Sequence, residues 1–175
     1  MNQPRASELF RRADELEQSI CRTAIAWARR RRLAPFFRTV SRLGDGVFWY
    51  ALIGVVCVIE GWESGGFMIV TALACTAIYK LLKLWLVRER PFVTHNDITC
   101  DAKVLDKYSF PSGHTLHAVC FTLLTAEISP VLALCVLPFT LCVALSRVVL
   151  GLHYPSDVLV GAAIGFCIGA AALSI

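Results

Sequence analysis

The chain has 175 residues, 57% of them hydrophobic and 17% charged, with a formal net charge of +4. A soluble globular domain is roughly 45–50% apolar and about 25% charged, so these numbers exclude the ordinary soluble classes, together with disorder, a collagen-like fibre and a disulfide scaffold. The length admits about five to six membrane spans of roughly 20 residues and leaves no room for a separate soluble catalytic domain.

Residues 7–28 read as an amphipathic helix. Leu9, Ala13, Leu16, Ile20, Ala24 and Trp27 recur at steps of three and four, while Arg11, Arg12, Glu15 and Arg22 take the other faces. Ser7 is the expected N-cap. The run Arg29-Arg30-Arg31-Arg32 follows. Residues 1–46 hold ten Lys/Arg against five Asp/Glu, whereas 47–175 hold seven against eight, so the basic character belongs to this first segment. Next to a membrane domain it is expected to lie in the interface with its arginines toward anionic headgroups, and no nucleic-acid partner is expected. It lacks the long apolar core and small-residue cleavage site of a secretory signal.

Gly44-Asp45-Gly46 reads as punctuation before five apolar stretches. The first, about Val47 to Trp62, is closed by a turn at Glu63-Ser64-Gly65-Gly66. The second runs from Phe67 to Val87 with Lys80 and Lys83 in its last turns, where long stems can snorkel. A polar loop, about Arg88 to Phe110, separates it from the third, Ser112 to Ile128. The fourth, Val131 to about Leu150, contains Pro138 and is expected to kink there. The fifth occupies Ser156 to Ile175, where Gly161, Gly165 and Gly169 form a small-residue ridge expected to pack within the same chain. The fold class is therefore all-α integral membrane: a bundle of about five transmembrane helices plus an N-terminal amphipathic interfacial helix. Six of the eight cysteines lie in apolar runs and read as packing residues; Cys21 and Cys100 lie in polar segments and are expected to serve as labelling probes.

Beyond Gly113 only Glu127, Arg147 and Asp157 are formally charged. Ionisable residues in membrane helices are costly and mark function. They fall at three helix ends: Lys83 with Arg90-Pro91, then Pro111-Ser112-Gly113-His114, then Ser146-Arg147 with His153 and Asp157. Counting crossings brings all three ends to one side of the membrane. Three fixed cations describe an oxyanion site, and the planar fork of arginine matches phosphate oxygens in pairs. Ser112 as N-cap and Gly113 behind it open a helix N-terminus toward the same anion. Asp157, four residues after His153 and in the first turn of the fifth helix, can hold one imidazole nitrogen and leave the other as a nucleophile. His114 is then placed to donate a proton to the departing oxygen.

Lys83, six residues, Arg90-Pro91; then Pro111-Ser112-Gly113-His114; then Ser146-Arg147, five residues, His153, three residues, Asp157: this pattern resembles the three-part motif of the type 2 phosphatidic acid phosphatase (PAP2) superfamily, matched at every defining position between residues 83 and 157. The charge count sets off a basic amphipathic N-terminal segment, 1–46, and the resemblance makes the remainder, 47–175, a transmembrane phosphatase domain. It implies a metal-independent lipid phosphatase without cofactors, acting on a polyprenyl diphosphate, phosphatidylglycerol phosphate or phosphatidic acid in the cell membrane. By its pattern His153 attacks phosphorus to give a phosphohistidine, Asp157 supports it, and His114 protonates the leaving group. Lys83, Arg90, Ser112, Gly113 and Arg147 hold the phosphate oxygens.

Other readings stand beside this one: phosphotransfer to an alcohol instead of water, a vanadate-dependent haloperoxidase, and a transporter or scaffold that only binds phosphate. The paired histidines argue against the last, since holding an anion needs no proton donor. His117 reads as a polar residue lining the bundle and Glu127 as a marker of the opposite interface. His95, Asp97, Asp101, Lys103 and Lys107 form a candidate lid or headgroup-reading segment. With five spans, the N-terminus and the site share a side; its arginines favour the cytoplasm, whereas the resemblance favours the outer face, which is the side expected here.

Overall fold

A computed structural model describes residues 3–100, 102, 104 and 106–175, with backbone alone for residues 3–7, 9 and 10. The described residues are helical apart from connecting segments: α1 (Gln3–Arg30), α2 (Ala34–Arg42), a π-helical turn (Leu43–Val47), α3 (Phe48–Glu60), α4 (Trp62–Leu86), the short α5 (Pro91–Thr94), α6 (Gly113–Ile128), α7 (Pro130–Val149) and α8 (Pro155–Leu173). Ser7 therefore lies inside α1 and is not its cap.

Among the described residues, four helical segments are long and apolar enough to cross a membrane by length and composition: Ala34–Glu60, Trp62–Thr94, Pro130–Val149 and Pro155–Leu173. The expected third span, α6, has 16 residues, about 24 Å of helix, which is short for a bilayer core of about 30 Å. It is the central helix of the bundle, packed against α4, α7 and α8 and burying Leu116, Ala118, Cys120, Phe121 and Leu124. The outer helices turn apolar side chains outward, with Val58, Trp62 and Trp85 each at least 84% exposed. A water-soluble monomer does not expose such a surface, whereas a lipid-facing bundle requires it.

Gly44-Asp45-Gly46 punctuates the chain as read from the sequence: α2 and α3 meet there at a kink, where Gly46, at φ 144°, leaves helical geometry. Tertiary contacts hold the turn, since the Trp49 indole N–H donates to Gly44 O at 3.0 Å and Gly44 faces Val143. One boundary differs from the sequence reading: the break between the first two spans falls at Gly61, φ 90°, and Glu63–Gly66 already belong to α4. Pro138 sits inside a continuous α7.

The glycine ridge of α8 packs on α6 of the same chain. A Cβ on Gly165 would lie 2.2 Å from Leu116 O and one on Gly161 2.6 Å from Ser112 O, so backbone meets backbone at both levels. Gly165→Ala is expected to lower stability by roughly 1–3 kcal/mol, read as a lower unfolding midpoint in detergent, because a main-chain atom cannot move aside as a side chain does. Retention of the wild-type midpoint would contradict this packing.

Helix α1 lies against α7 and α8 with two distinct faces. Cys21, Ile25 and Ala28 are buried against the bundle, while Leu16, Ile20 and Trp27 point outward. The protein-facing stripe is thus one position over from the apolar stripe expected from the sequence, and the expected stripe is the part left available to lipid.

Candidate active site

All three motif segments meet at one end of the bundle. Lys83 leaves the last turn of α4, Arg90 precedes α5, Ser112 and His114 open α6, Arg147 closes α7, and His153 and Asp157 flank the start of α8. Ser112 is the N-cap of α6, its hydroxyl accepting from Thr115 N at 3.5 Å, and its own N–H donates to Asp157 O at 3.0 Å, which joins α6 to α8. Gly113 lies against the Tyr79 ring, so a side chain there would be crowded by α4 as well as by a ligand.

The cations are buried: Lys83, Arg90 and Arg147 are each at most 5% exposed. Unpaired burial of this kind costs several kcal/mol per ion, so each partner matters. Lys83 Nζ donates to Asp106 Oδ1 at 2.7 Å and to Tyr108 O at 2.9 Å. Arg90 Nη2 donates to the same Asp106 Oδ1 at 2.6 Å, and its Nη1 to Leu152 O at 2.8 Å. Arg147 Nη1 donates to Ser41 Oγ at 2.6 Å, whereas its Nε is buried without a hydrogen-bond partner among the described residues.

His153 is 1% exposed, and Arg90 Nη1 lies 3.5 Å from its Nε2. A guanidinium only donates, so this contact assigns the lone pair to Nε2 and the proton to Nδ1. Nδ1 faces Asp157 Oδ2 at 3.6 Å, outside hydrogen-bond range but aligned with the expected pairing. Burial first, then the charges of Arg147, Arg90, Lys83 and His114, push the His153 imidazole well below its ordinary value of 6.5. These four neighbours disfavour imidazolium, so the ring keeps a nucleophilic lone pair in mild acid. The acid limb of kcat/KM, which reports the free enzyme, is accordingly expected to fall below pH 6.5. A limb from loss of the imidazole lone pair at or above that pH would contradict the burial and charge seen here.

Asp157 is fully buried and doubly held: Oδ2 accepts from Tyr154 N at 2.9 Å and Oδ1 from Arg88 Nη1 at 2.7 Å. Arg88 also donates to Ser156 Oγ at 2.7 Å and Glu17 Oε2 at 2.6 Å and stacks on the Tyr154 ring at 4.1 Å. Glu17 Oε1 accepts from Ser156 N at 2.8 Å. Helix α1 therefore reaches the site through a carboxylate. Arg22 pairs with Asp97, Arg29 with Thr99, and the Cys21 thiol lies 3.9 Å from His153 O. Burial, then Glu17 and Asp157, push that thiol up to about 12, so Cys21 is a sealed, protonated thiol and not the labelling probe expected. Cys100 is half-buried beside Ala102.

Four participants were not singled out from the sequence: Arg88, Glu17, Asp106 and Asp45. Asp45, from the π turn, contacts His114 Nε2. His117, by contrast, bonds Gly113 O at 3.0 Å and meets Thr76 Oγ1 and Ala72 O of α4, so this polar residue inside the bundle ties two helices together. Asp101 and Lys103 lie outside the described residues. Among the described residues, no three His, Cys, Asp or Glu side chains come together as a metal centre requires.

Fold and site together define a multi-span helical membrane protein with a buried cluster of three cations beside a histidine and its carboxylate. The chain belongs to the PAP2 superfamily, whose sequence profile matches residues 64–175. It is 38% identical over 101 residues to the decaprenylphosphoryl-5-phosphoribose phosphatase of Mycobacterium tuberculosis, covering 57% of this chain and 54% of that one. It is 33% identical over 129 residues to the protein of the same name from Mycolicibacterium smegmatis, covering 71% and 68%. The chain thus spans about half the length of the first relative. Among solved structures it superposes on Aquifex aeolicus LpxE with TM-score 0.79 at 25% identity, covering 90% of this chain and 94% of that one. It also superposes on the transmembrane PAP2-type phosphatidylglycerolphosphate phosphatase of Bacillus subtilis with TM-score 0.76 at 22% identity, covering 99% and 96%, a likeness of fold.

Proposed function

We propose that this protein is a metal-independent lipid phosphatase that removes a terminal phosphoryl group from a lipid phosphomonoester or diphosphate through a phosphohistidine. The observation that carries the reading is the convergence of Lys83, Arg90 and Arg147 on a buried His153 whose Nε2 holds its lone pair. A cradle for binding alone would need the cations and not the neutral histidine. The donor set is cationic, and among the described residues no carboxylate and histidine cluster stands ready for a metal.

In the first step His153 Nε2 attacks phosphorus as the bond to the lipid oxygen breaks, and His114 gives its proton to that oxygen. Asp157 stabilises the charge left on the His153 ring. Lys83, Arg90, Arg147, the Ser112 hydroxyl and the Gly113 N–H hold the equatorial oxygens, where charge develops. Water, losing a proton to His114, then attacks phosphorus; the P–N bond breaks and orthophosphate leaves. The names of the relatives make a polyprenyl-linked phosphate the first substrate to try, ahead of phosphatidylglycerol phosphate and phosphatidic acid. The test is phosphate release by the purified chain across these lipids in EDTA. Turnover of at least one supports the reading, and activity that appears only with added divalent metal refutes it.

We assign the site to the outer face of the cell membrane. Exposed Lys107 offers a better probe than half-buried Cys100. A Lys107→Cys variant is expected to react with an impermeant maleimide on intact cells. Protection until permeabilisation would put the site in the cytoplasm.

A further inference from the structure

The two cations at the start of the motif are already engaged. Lys83 Nζ and Arg90 Nη2 converge on one oxygen, Asp106 Oδ1, at 2.7 and 2.6 Å, the geometry in which two donors hold a phosphate oxygen. Their side chains are 7% and 3% exposed and built into the bundle, whereas that of Asp106 is 38% exposed on the connecting segment. The partner that can leave is therefore the carboxylate. Burial raises the Asp106 carboxyl, but the hydrogen bond to Lys83 and the charges of Lys83 and Arg90 outweigh it and hold the group below its ordinary range, so it is an anion.

The carboxylate satisfies only part of the cradle. Arg147 Nε remains buried with no hydrogen-bond partner among the described residues, although Asp106 is close enough to act on Arg147 electrostatically. A planar monoanion cannot fill a cradle of three cations; a tetrahedral dianion with three free oxygens can. The remaining ties of this segment use other protons: Arg90 Nε donates to Asp106 O at 3.1 Å and Lys83 to Tyr108 O. The segment can thus stay anchored by its main chain while the carboxylate swings out.

We propose that Asp106 is an internal competitor for the phosphate cradle, occupying the Lys83 and Arg90 seat until substrate displaces it and returning to expel orthophosphate. Asp106 is in this way a specificity-determining residue: it sets a threshold that a phosphoryl dianion crosses and a weaker anion does not. The proposal rests on the phosphatase reading above, with Lys83 and Arg90 as phosphate ligands.

The test compares wild type, Asp106→Asn and Asp106→Glu in detergent or vesicles. Asn preserves size and the main-chain anchors and removes only the charge. Two readouts are taken: competitive inhibition of lipid turnover by orthophosphate and orthovanadate, and vanadate-induced thermal shift, which needs no turnover. Asp106→Asn is expected to lower the inhibition constants of both anions and the KM roughly tenfold, with kcat falling as orthophosphate release slows, and Asp106→Glu to return the constants toward wild type. Unchanged constants would make Asp106 a loop anchor and overturn the competition. Weaker anion binding would make it a supporting ligand and overturn it equally. Failure of wild type itself to bind either anion would overturn the phosphatase reading and this inference together, whereas anion binding with turnover unaffected by Asp106 removes only the latter.

Discussion

His153→Ala is expected to lower kcat by about 10⁴-fold or more, since removal of a covalent nucleophile costs most of an enzyme's chemical acceleration. Structure makes this substitution informative in a second way. The ring is buried and its contacts are to Arg90 Nη1 and the Asp157 carboxylate, while the cradle of Lys83, Arg90 and Arg147 is held by separate partners: Asp106, Tyr108, Leu152 and Ser41. The variant should therefore fold and still bind orthovanadate while failing to turn over lipid. Retained turnover within tenfold of wild type would show that water attacks phosphorus directly and that His153 has another role. Loss of both vanadate binding and the native unfolding midpoint would attribute the defect to collapse of the site, and imidazole-sized replacements such as His153→Gln then separate the two effects.

Asp157→Asn is expected to lower kcat by about 10³- to 10⁴-fold with little change in KM, the size of effect seen when the carboxylate behind a reactive histidine is neutralised. Asn keeps an oxygen for the Tyr154 N–H, so the start of α8 survives. What it loses is the charge that favours a cationic His153 ring once phosphorus is bound, and the charge that faces Arg88. Because Asp157 acts through His153, the double variant should be no slower than His153→Ala alone. A further loss in the double variant, or a defect confined to KM, would mean that Asp157 works on substrate directly. Arg88 is bound as well by Glu17 and Ser156, so its position should outlast the substitution.

The helical bundle and the residues of the cradle were legible in the sequence for a common physical reason. In a chain this apolar, a charge inside the membrane region is costly enough that Lys83, Arg147 and Asp157 stand out singly, and their spacing places each at a helix end. Where polar residues are abundant that contrast vanishes. Asp106 lies among Asp97, Asp101, Lys103 and Lys107, and nothing local distinguishes the one carboxylate that reaches Lys83 and Arg90. Glu17 is one of several charges on α1, and only the docking of that helix on α8 turns it toward Arg88. Asp45 was hidden differently. Flanked by glycines it reads as a turn between helices, which it is, but only the packing of that kink, with Trp49 bonded to Gly44 O and Val143 against Gly44, delivers Asp45 to His114. The amphipathic stripe of α1 was legible too, but its bundle-facing side was not, because Cys21 and Ala28 are small residues that count for little in periodicity and much in close packing.

The covalent step is the centre of this account, and trapping it tests the account most directly. Wild-type protein mixed with a lipid carrying a labelled terminal phosphoryl group is quenched in alkaline detergent within a single turnover, and label on the protein is measured beside the His153→Ala variant. The expected result is label that survives alkali, is released by acid, maps to His153 and is absent from the variant. Lipid turnover at normal rates with no protein-bound label at any time, or equal label in the variant, would contradict it.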